Sequence, residues 1–192
     1  MIYYHTPYDS TGCIGKYYNK AVSVCEHDDD WVVFTDRDVW FPHPHYGKII
    51  EAYSKTTEYG LLTCITNRVG PDYQTHGGKY WKIENNAEHV KIAHKLYEEN
   101  KISITDVTNN VPYISGMLMM IKKSTWKKCG GFKESGAMGP NNLFIDNDLH
   151  IAVKKCGDKV GVMNGVYVWH YYRNGITNDK DHLMKWYKFN VT

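Results

Sequence analysis

The sequence predicts an α/β fold in which helices flank a mainly parallel central sheet. The first observation is a pair of short, continuous apolar runs, Trp31–Phe34 and Leu61–Thr66, which are typical of strands buried on both faces. The second is that these runs alternate with segments such as Ile14–Val24 and Asn85–Glu99, in which apolar residues recur at helical spacing. Alternation of strands and helices is typical of a parallel sheet covered by helices.

The first third of the chain supplies the elements that lead to the first buried run. A short strand at Ile2–His5 enters a turn-rich loop, because a proline and a glycine occur within the next seven residues. The first helix ends where the polar stretch His27–Asp30 interrupts its pattern. Pro44 stands where another helix can start, since proline is favoured at the first helical position, and Tyr46, Ile49, Ile50 and Tyr53 give that helix an apolar face.

The second half of the chain completes the predicted sheet. A strand is predicted over Tyr113–Ile121, and Ser124 is expected to cap a short helix that ends at Gly130-Gly131. A helix over Asp146–Cys156 is expected to stop at Gly157. The remaining predicted elements are strands at Val160–Met163 and Val166–Trp169 and a weak helix at Lys180–Tyr187.

Length and composition predict one globular domain over residues 1–192. A chain of 192 residues can bury a sizeable core, and no repeat or linker divides it. The formal net charge is +2 without a run of Lys or Arg, so nothing favours a nucleic-acid-binding groove. No two of the five cysteines stand at CxxC spacing, which argues against a disulfide framework and against a structural zinc site.

The absence of targeting and membrane patterns predicts a cytoplasmic protein. The first residues contain no basic segment followed by an apolar stretch, so we expect no signal peptide. No apolar run approaches the ~20 residues of a transmembrane helix. Peripheral contact between a surface helix and a membrane stays open.

Two carboxylates follow the first buried run, in the sequence Asp36-Arg37-Asp38. Ligands of open α/β sheets bind at the carboxyl ends of strands. On an extended chain these carboxylates would point to one side, roughly 6.5–7 Å apart. Because Mg²⁺ and Mn²⁺ prefer oxygen ligands and keep positions open for phosphate oxygens, Asp36 and Asp38 are candidate ligands of one of these ions. The alternative is an acidic turn without a ligand.

His170 directly follows the last predicted strand. At that position it could reach the same edge of the sheet as the two carboxylates, and imidazole suits Mn²⁺ better than Mg²⁺. The alternative is a histidine with a purely structural role.

Two further carboxylates, Asp146 and Asp148, lie at the predicted start of a helix. Aspartate is a favoured N-cap, and negative charge there interacts favourably with the helix dipole, so both could serve the helix alone. Alternatively, one of them caps the helix while the other faces a site as a general base. The residues themselves leave this choice open.

The order of these motifs resembles that of the GT-A glycosyltransferases, and most closely their large family 2. The resemblance covers roughly Ile14 to His170. Its motifs are the DxD after a buried strand, Ser115-Gly116, Gly130-Gly131-Phe132, Asp146-Asn147-Asp148-Leu149 and the strand-terminal His170. It implies a Rossmann-type GT-A domain that transfers a sugar, of hexosyltransferase type, from a nucleotide-diphosphate sugar to an acceptor hydroxyl in glycan synthesis. A base carboxylate on the acceptor side makes a single inverting displacement the default, and retention stays open if the aspartates only orient the acceptor.

The resemblance also implies roles for single residues. It implies Asp36, Asp38 and His170 as ligands of Mn²⁺ or Mg²⁺ on the donor diphosphate. It implies Asp146 or Asp148 as the catalytic base, and Asp146 is favoured because it aligns with the Asp of the family's Glu-Asp pair, although Ile145 replaces the Glu. The donor site is expected to include Asp36, Arg37, Ser115, Gly116, Gly131 and Phe132.

The N-terminal region departs from the family pattern. Family members usually have two βα units before the DxD, and here one of them is missing. Recognition of the nucleobase is therefore expected to fall to Thr6, Pro7, Tyr8 and Asp9 and to the nearby ring of Tyr17. The base, the donor sugar and the acceptor, whether a carbohydrate or another hydroxyl compound, are not specified.

Two other functions stay open. A nucleotidyltransferase acting on sugar phosphates would also bind metal through carboxylates on an α/β sheet. Such enzymes usually carry a Gly-rich, basic loop after the first strand, and the early Gly12 and Gly15 do not make one. A non-catalytic nucleotide-sugar-binding module is the second alternative.

Overall fold

The computed structural model describes residues 1–7, 13–134 and 144–171. Within them the chain forms seven strands and five α-helices. In chain order these are β1 (Ile2–His5), α1 (Ile14–Ser23), β2 (Trp31–Thr35), β3 (Val39–Trp40), α2 (Tyr46–Thr56), β4 (Leu61–Thr66), α3 (Asn86–Asn100), β5 (Ile104–Asp106), β6 (Leu118–Lys122), α4 (Lys123–Cys129), α5 (Ile145–Lys155) and β7 (Val160–His170). The helix predicted at Lys180–Tyr187 lies outside the described residues.

The strands form one mixed sheet, which confirms the α/β class. Its order is β1-β2-β6-β4-β7-β3, with β5 beside β7. Strands β1 and β2 are parallel, whereas β6 runs antiparallel to β2 and to β4, and β3 runs antiparallel to β7. The prediction of a mainly parallel sheet is therefore wrong. A continuous apolar run indicates burial on both faces, which β6 shares with parallel strands, but it does not give the strand's direction.

Other differences from the prediction are local. Strand β6 begins only at Leu118, so Ser115-Gly116 lies before the strand. Lys122 is the N-cap residue of α4, so Ser124 lies inside the helix and does not cap it. The two strands predicted near the end form the single strand β7. Strands β3 and β5 have two and three residues, too few to show a periodicity in the sequence.

The contacts divide the chain into two compact units. The first contains Met1–Arg37, Glu58–Thr63 and Asp106–Gly161, and the second contains Asp38–Thr57, Cys64–Thr105 and the described part of Val162–Thr192. The chain enters each unit more than once, so neither is a continuous stretch of sequence. A single domain over residues 1–192 stays a prediction. None of the described helices combines the length and the apolar character needed to span a bilayer.

An aromatic cluster forms the core of the first unit beneath the end of β2. The ring of Tyr18 lies 4.4 Å from that of Phe34 and 4.7 Å from that of Phe132, measured between centroids. All three side chains are buried, with at most 3% of their surface exposed. Such packing fixes the end of β2, from which the chain continues into Asp36.

Asn19 joins α1 to the turn that follows α4. Its Oδ1 accepts hydrogen bonds from Trp126 Nε1–H and from the Phe132 N–H, both at 2.8 Å. Its Nδ2 donates to the Phe132 carbonyl at 2.8 Å and to the Glu134 carboxylate at 2.9 Å. Gly131 has φ +77°, and a Cβ there would lie 2.7 Å from Asn19 Oδ1, so glycine is required beside this side chain.

Buried hydrogen bonds hold the part of β7 that belongs to the second unit. The Tyr53 hydroxyl accepts from the Gly165 N–H and donates to the Lys101 carbonyl, both at 2.9 Å. His89 Nδ1 accepts from the Tyr167 hydroxyl at 2.8 Å, because its Nε2–H donates to a carbonyl. Burial lowers the pKa of His89, which keeps the ring neutral. These bonds fix the strand that ends at His170.

Replacement of Asn19 by alanine tests the junction between α1 and the turn. Asn19→Ala should lower the free energy of unfolding by about 1–3 kcal/mol, since two donors lose their acceptor. Urea denaturation measures this change. Lys20→Ala alters an exposed neighbour on the same helix and should cost no more than about 0.5 kcal/mol. Equal losses in the two variants would contradict the assigned role.

Candidate metal and catalytic site

Asp36, Arg37 and Asp38 form a turn between β2 and β3. The Asp36 N–H donates to the Met117 carbonyl at 3.0 Å, and Arg37 is exposed. Because the chain turns here instead of continuing extended, the carboxylates lie closer than their spacing along a strand would place them. Ligand atoms of Asp36 and Asp38, two residues apart in the chain, lie within 4.8 Å of each other, and so do ligand atoms of Asp38 and His170. The boundary between the two units falls inside this turn, after Arg37.

Asp38 and His170 are held together by the pairing of β3 with β7. Val39 is the register partner of His170, and the Tyr171 N–H donates to the Asp38 carbonyl at 2.9 Å. As a result, His170 Nε2 lies 3.4 Å from Asp38 Oδ1. The imidazole is 7% exposed and the carboxylate 30% exposed, so the pair is accessible from the carboxylate side.

A second contact fixes which nitrogen of His170 carries a proton. His170 Nδ1 lies 2.9 Å from the Arg68 carbonyl oxygen. A carbonyl can only accept, so Nδ1 is protonated and Nε2 faces Asp38. Nε2 then either bears a second proton, in an ion pair, or offers its lone pair to a cation shared with the carboxylate. A ring nitrogen anchored on a backbone carbonyl while the other is available is the usual arrangement of a metal-binding histidine. The residues present therefore fit a divalent cation.

Asp146 reaches from α5 to the segment before β6. Its Oδ2 accepts from the Gly116 N–H at 2.7 Å and its Oδ1 from the Asn147 N–H at 2.9 Å. Phe144, with φ +74°, is the N-cap residue of α5, so Asp146 lies inside the first turn. A Cβ at position 116 would lie 2.9 Å from the Asp146 Cβ, which explains the glycine there. Asp146 thus accepts a hydrogen bond from the segment before β6 as well as one from its own helix.

Burial raises the pKa of Asp146 to about 6, hydrogen bonds from Asn147 and Gly116 oppose the rise, and the nearby negative charge of Asp36 adds to it. Burial likewise raises the pKa of the Tyr18 hydroxyl, with a contribution from Asp36 and Asp146. Asp36, Asp146 and Tyr18 therefore interact electrostatically in the first unit. A carboxylate with a pKa near 6 is better matched to proton transfer at neutral pH than an ordinary aspartate.

Asp148 has a different environment. Its Oδ1 lies 3.1 Å from Lys133 Nζ, and its side chain is 8% exposed. The ammonium group balances the charge of this carboxylate, whereas Asp146 has the charge of Asp36 near it. This contrast favours Asp146 over Asp148 as a general base.

The expected nucleoside-binding residues lie partly within the described chain. The Thr6 hydroxyl lies 3.3 Å from that of Thr35, which immediately precedes Asp36. Tyr17 packs edge-on against His5, with ring centroids 6.3 Å apart. Pro7 is half-buried. Tyr8 and Asp9 lie outside the described residues.

The expected sugar-pocket residues have structural partners. The Ser115 carbonyl accepts from the Thr63 hydroxyl at 3.3 Å. Gly116 holds Asp146, and Gly131 lies against Asn19. Phe132 is 3% exposed within the aromatic core, so it supports the site from beneath. Contact between these residues and a donor stays a prediction.

The sequence analysis missed Asn67 and Arg68, which directly follow β4 and contact His170. The pattern that could have found them was present, since polar residues after a buried strand also pointed to Asp36 and His170.

Comparison with known proteins gives no family for this chain. No protein-family model matches it, and no curated protein shows significant similarity to it. Only the residues and their geometry therefore indicate a function for this chain.

Replacement of Asp146 by asparagine tests its raised pKa. The ordinary pKa of aspartate is 3.8, and that of Asp146 in the folded state is about 6. At pH values between these two, the folded state holds a proton that the unfolded state has lost. The contribution of Asp146 to the free energy of unfolding should therefore fall as pH rises through this window and stay constant above it. Urea denaturation over a pH series, compared between wild type and Asp146→Asn, measures that contribution.

The control for this series is Asp29→Asn, which removes an exposed carboxylate of the same unit. Its stability should follow the wild-type pH dependence. If the Asp146→Asn curve also ran parallel to that of the wild type, the pKa of Asp146 would not be raised in the folded protein.

Proposed function

We propose that this chain is a metal-dependent glycosyltransferase of the GT-A type, which moves a sugar from a nucleotide-diphosphate sugar to an acceptor hydroxyl. The observation that carries the proposal is the arrangement of His170, whose Nδ1–H is held by the Arg68 carbonyl while Nε2 faces Asp38. Asp38 belongs to the turn that contains the DxD motif. The order of the sequence motifs supports the same class.

Asp36, Asp38 and His170 are the residues that would hold the cation. Two carboxylates with one imidazole favour Mn²⁺ over Mg²⁺, because Mg²⁺ prefers oxygen ligands alone. When bound, a divalent cation supplies positive charge that stabilises the diphosphate leaving group. Asp36 and Asp38 also keep the turn negative, which favours a cation over an anion at this position.

Asp146 is the proposed general base. Its carboxylate takes the proton of the acceptor hydroxyl while the acceptor oxygen forms a bond to the anomeric carbon. The bond from that carbon to the diphosphate breaks, and the nucleoside diphosphate leaves with the bonding electrons. A single displacement of this kind inverts the configuration. Hydrogen bonds from Gly116 and Asn147 orient the carboxylate, which a base acting at hydrogen-bond distance requires.

Thr6 and Tyr17 are proposed to flank the nucleoside. Because β1 and β2 are parallel, their carboxyl ends meet at one edge of the sheet, where the Thr6 hydroxyl contacts Thr35. The end of β1 thus lies beside the start of the DxD turn. A nucleoside bound at the end of β1 would lie within reach of the turn that would hold its diphosphate.

Replacement of Asp38 by asparagine tests the metal site. A nucleoside diphosphate that binds the native protein raises its Tm by mass action. In the wild type this increase should require Mn²⁺, and Asp38→Asn should abolish it, because the amide cannot replace the charged ligand. Thermal unfolding with and without Mn²⁺ measures the effect, and Asp29→Asn should behave as the wild type. A full Mn²⁺-dependent increase in Asp38→Asn would disprove the proposed site.

Replacement of Asp146 by asparagine also tests catalysis. Turnover should fall by roughly 10²–10⁴-fold with donor affinity preserved, because asparagine accepts hydrogen bonds but cannot take a proton. Asp148→Asn should reduce turnover far less, since Asp148 is paired with Lys133. Transfer from nucleotide-sugar donors, followed by release of nucleoside diphosphate, measures both variants.

Three other outcomes of the same assay are informative. Collapse of turnover in Asp148→Asn alone would move the base two residues along α5. Normal turnover in both variants would exclude general-base catalysis from this helix. Donor binding without release of nucleoside diphosphate by the wild type would indicate a non-catalytic nucleotide-sugar-binding module.

A further inference from the structure

The two residues that follow β4, Asn67 and Arg68, hold both the backbone N–H and the ring Nδ1–H of His170. The His170 N–H donates to Asn67 Oδ1 at 2.7 Å, and its Nδ1–H donates to the Arg68 carbonyl at 2.9 Å. The backbone and the ring are therefore fixed by adjacent residues. A rotation of the ring that exchanged its nitrogens would break the second bond.

The amide of Asn67 has a forced orientation. Its Oδ1 accepts from both His170 N–H and the Thr66 hydroxyl, the latter at 3.2 Å, so a flipped amide would place a donor against the backbone donor. The side chain is fully buried, and its Nδ2 has no hydrogen-bond partner among the described residues. Burial of an unpaired donor is unfavourable, because the donor loses its hydrogen bonds to water and gains none. Stability alone does not account for asparagine at this position.

The guanidinium of Arg68 binds the chain on either side of the site. It is 1% exposed; its Nε donates to the Trp81 carbonyl at 3.0 Å and its Nη1 to the Tyr171 carbonyl at 3.3 Å, while Nη2 pairs with Glu84. Tyr171 in turn donates its N–H to the Asp38 carbonyl. Arg68 thus contacts the residue that follows His170 and, through it, the backbone of Asp38.

Buried ion pairs are weak sources of stability, because apolar residues of similar size often stabilise a fold as well or better. Arg68 instead fixes the positions of two carbonyls in separate segments, because its donors lie in one plane with fixed directions. Its own carbonyl is the acceptor of the His170 ring. A shift of the guanidinium would therefore displace the ring's acceptor and the chain beyond the ring together.

We infer that Asn67 and Arg68 are positioning residues, which hold His170 with Nδ1 protonated and Nε2 directed at Asp38. This inference rests on the proposed metal site. It adds that the affinity of the site for a cation depends on two residues that offer no ligand atom themselves.

The test uses Mn²⁺ alone as the probe. Calorimetric titration of Mn²⁺ should show affinity lower by roughly 10–100-fold in Asn67→Ala and in Arg68→Lys, the range typical of partners that orient a metal ligand. Glu84→Gln keeps a hydrogen-bond acceptor for Arg68 at a half-exposed position and should weaken binding less than either. If Arg68→Lys does not fold, Asn67→Ala and Glu84→Gln decide the matter.

Tyr167→Phe is the matched control. It removes a buried hydroxyl three residues before His170 and breaks the bond to His89, without altering a contact of His170. It should lower the free energy of unfolding and leave Mn²⁺ affinity unchanged. A parallel loss of Mn²⁺ affinity in this control would show that any loosening of β7 weakens the site, and would overturn the assignment to Asn67 and Arg68.

Nitrogen NMR of the His170 ring without metal supplies a readout independent of metal binding. In mildly alkaline solution the wild type should show protonated Nδ1, and Asn67→Ala and Arg68→Lys should show a mixture of tautomers. Unchanged tautomer and unchanged Mn²⁺ affinity in both variants would overturn the inference while the metal site stands. If the wild type binds no Mn²⁺, the proposed function fails, and the tautomers alone then decide whether the two residues position the ring.

Discussion

The hydrogen bond from His170 Nδ1–H to the Arg68 carbonyl is the constraint on which the candidate site depends. A backbone carbonyl accepts and never donates, so this single contact determines both the tautomer and the direction of the ring. Asn67 and the Arg68 guanidinium help to keep that carbonyl and that ring in place, through the His170 N–H and the Tyr171 carbonyl. The pairing of β3 with β7 then brings Asp38 opposite Nε2 of the same ring.

In the first unit, the pKa of Asp146 depends on a balance between burial of the carboxylate and the hydrogen bonds that stabilise its charge. Asp146 loses water on approaching Gly116, and the backbone hydrogen bonds that it gains offset that loss only in part, so its pKa rises. Such a residue is poorly placed for stability at neutral pH. The arrangement is understandable if the proton affinity itself is useful, as it is for a base that must accept a proton near pH 7.

Structure could be predicted from the sequence where a local pattern of residues is compatible with few structures. Apolar runs located β2 and β4, and polar residues at strand ends pointed to Asp36, Asp38 and His170. Strand direction was not predictable, because β6 is buried on both faces whichever way it runs. The core packing of the Phe132 ring against Tyr18 was not predictable, since an aromatic side chain after a Gly-Gly turn fits a core or a binding site, and its contact with a donor stays a prediction. Asn67 and Arg68 follow a buried strand, as Asp36 does, but their contacts with His170 span more than a hundred residues and cannot be predicted from that local pattern.

The close approach of Gly116 to Asp146 has a consequence for how this protein can change over time. A side chain at position 116 would collide with the Asp146 Cβ, and any residue at 146 that has a Cβ would meet the same obstacle. The two positions are therefore epistatic: a larger residue at 116 is tolerated only after the helix start has moved. Such a move would carry the carboxylate away from its backbone donor. Lineages that retain the aspartate are thereby confined to glycine at 116, even though the glycine itself does no chemistry.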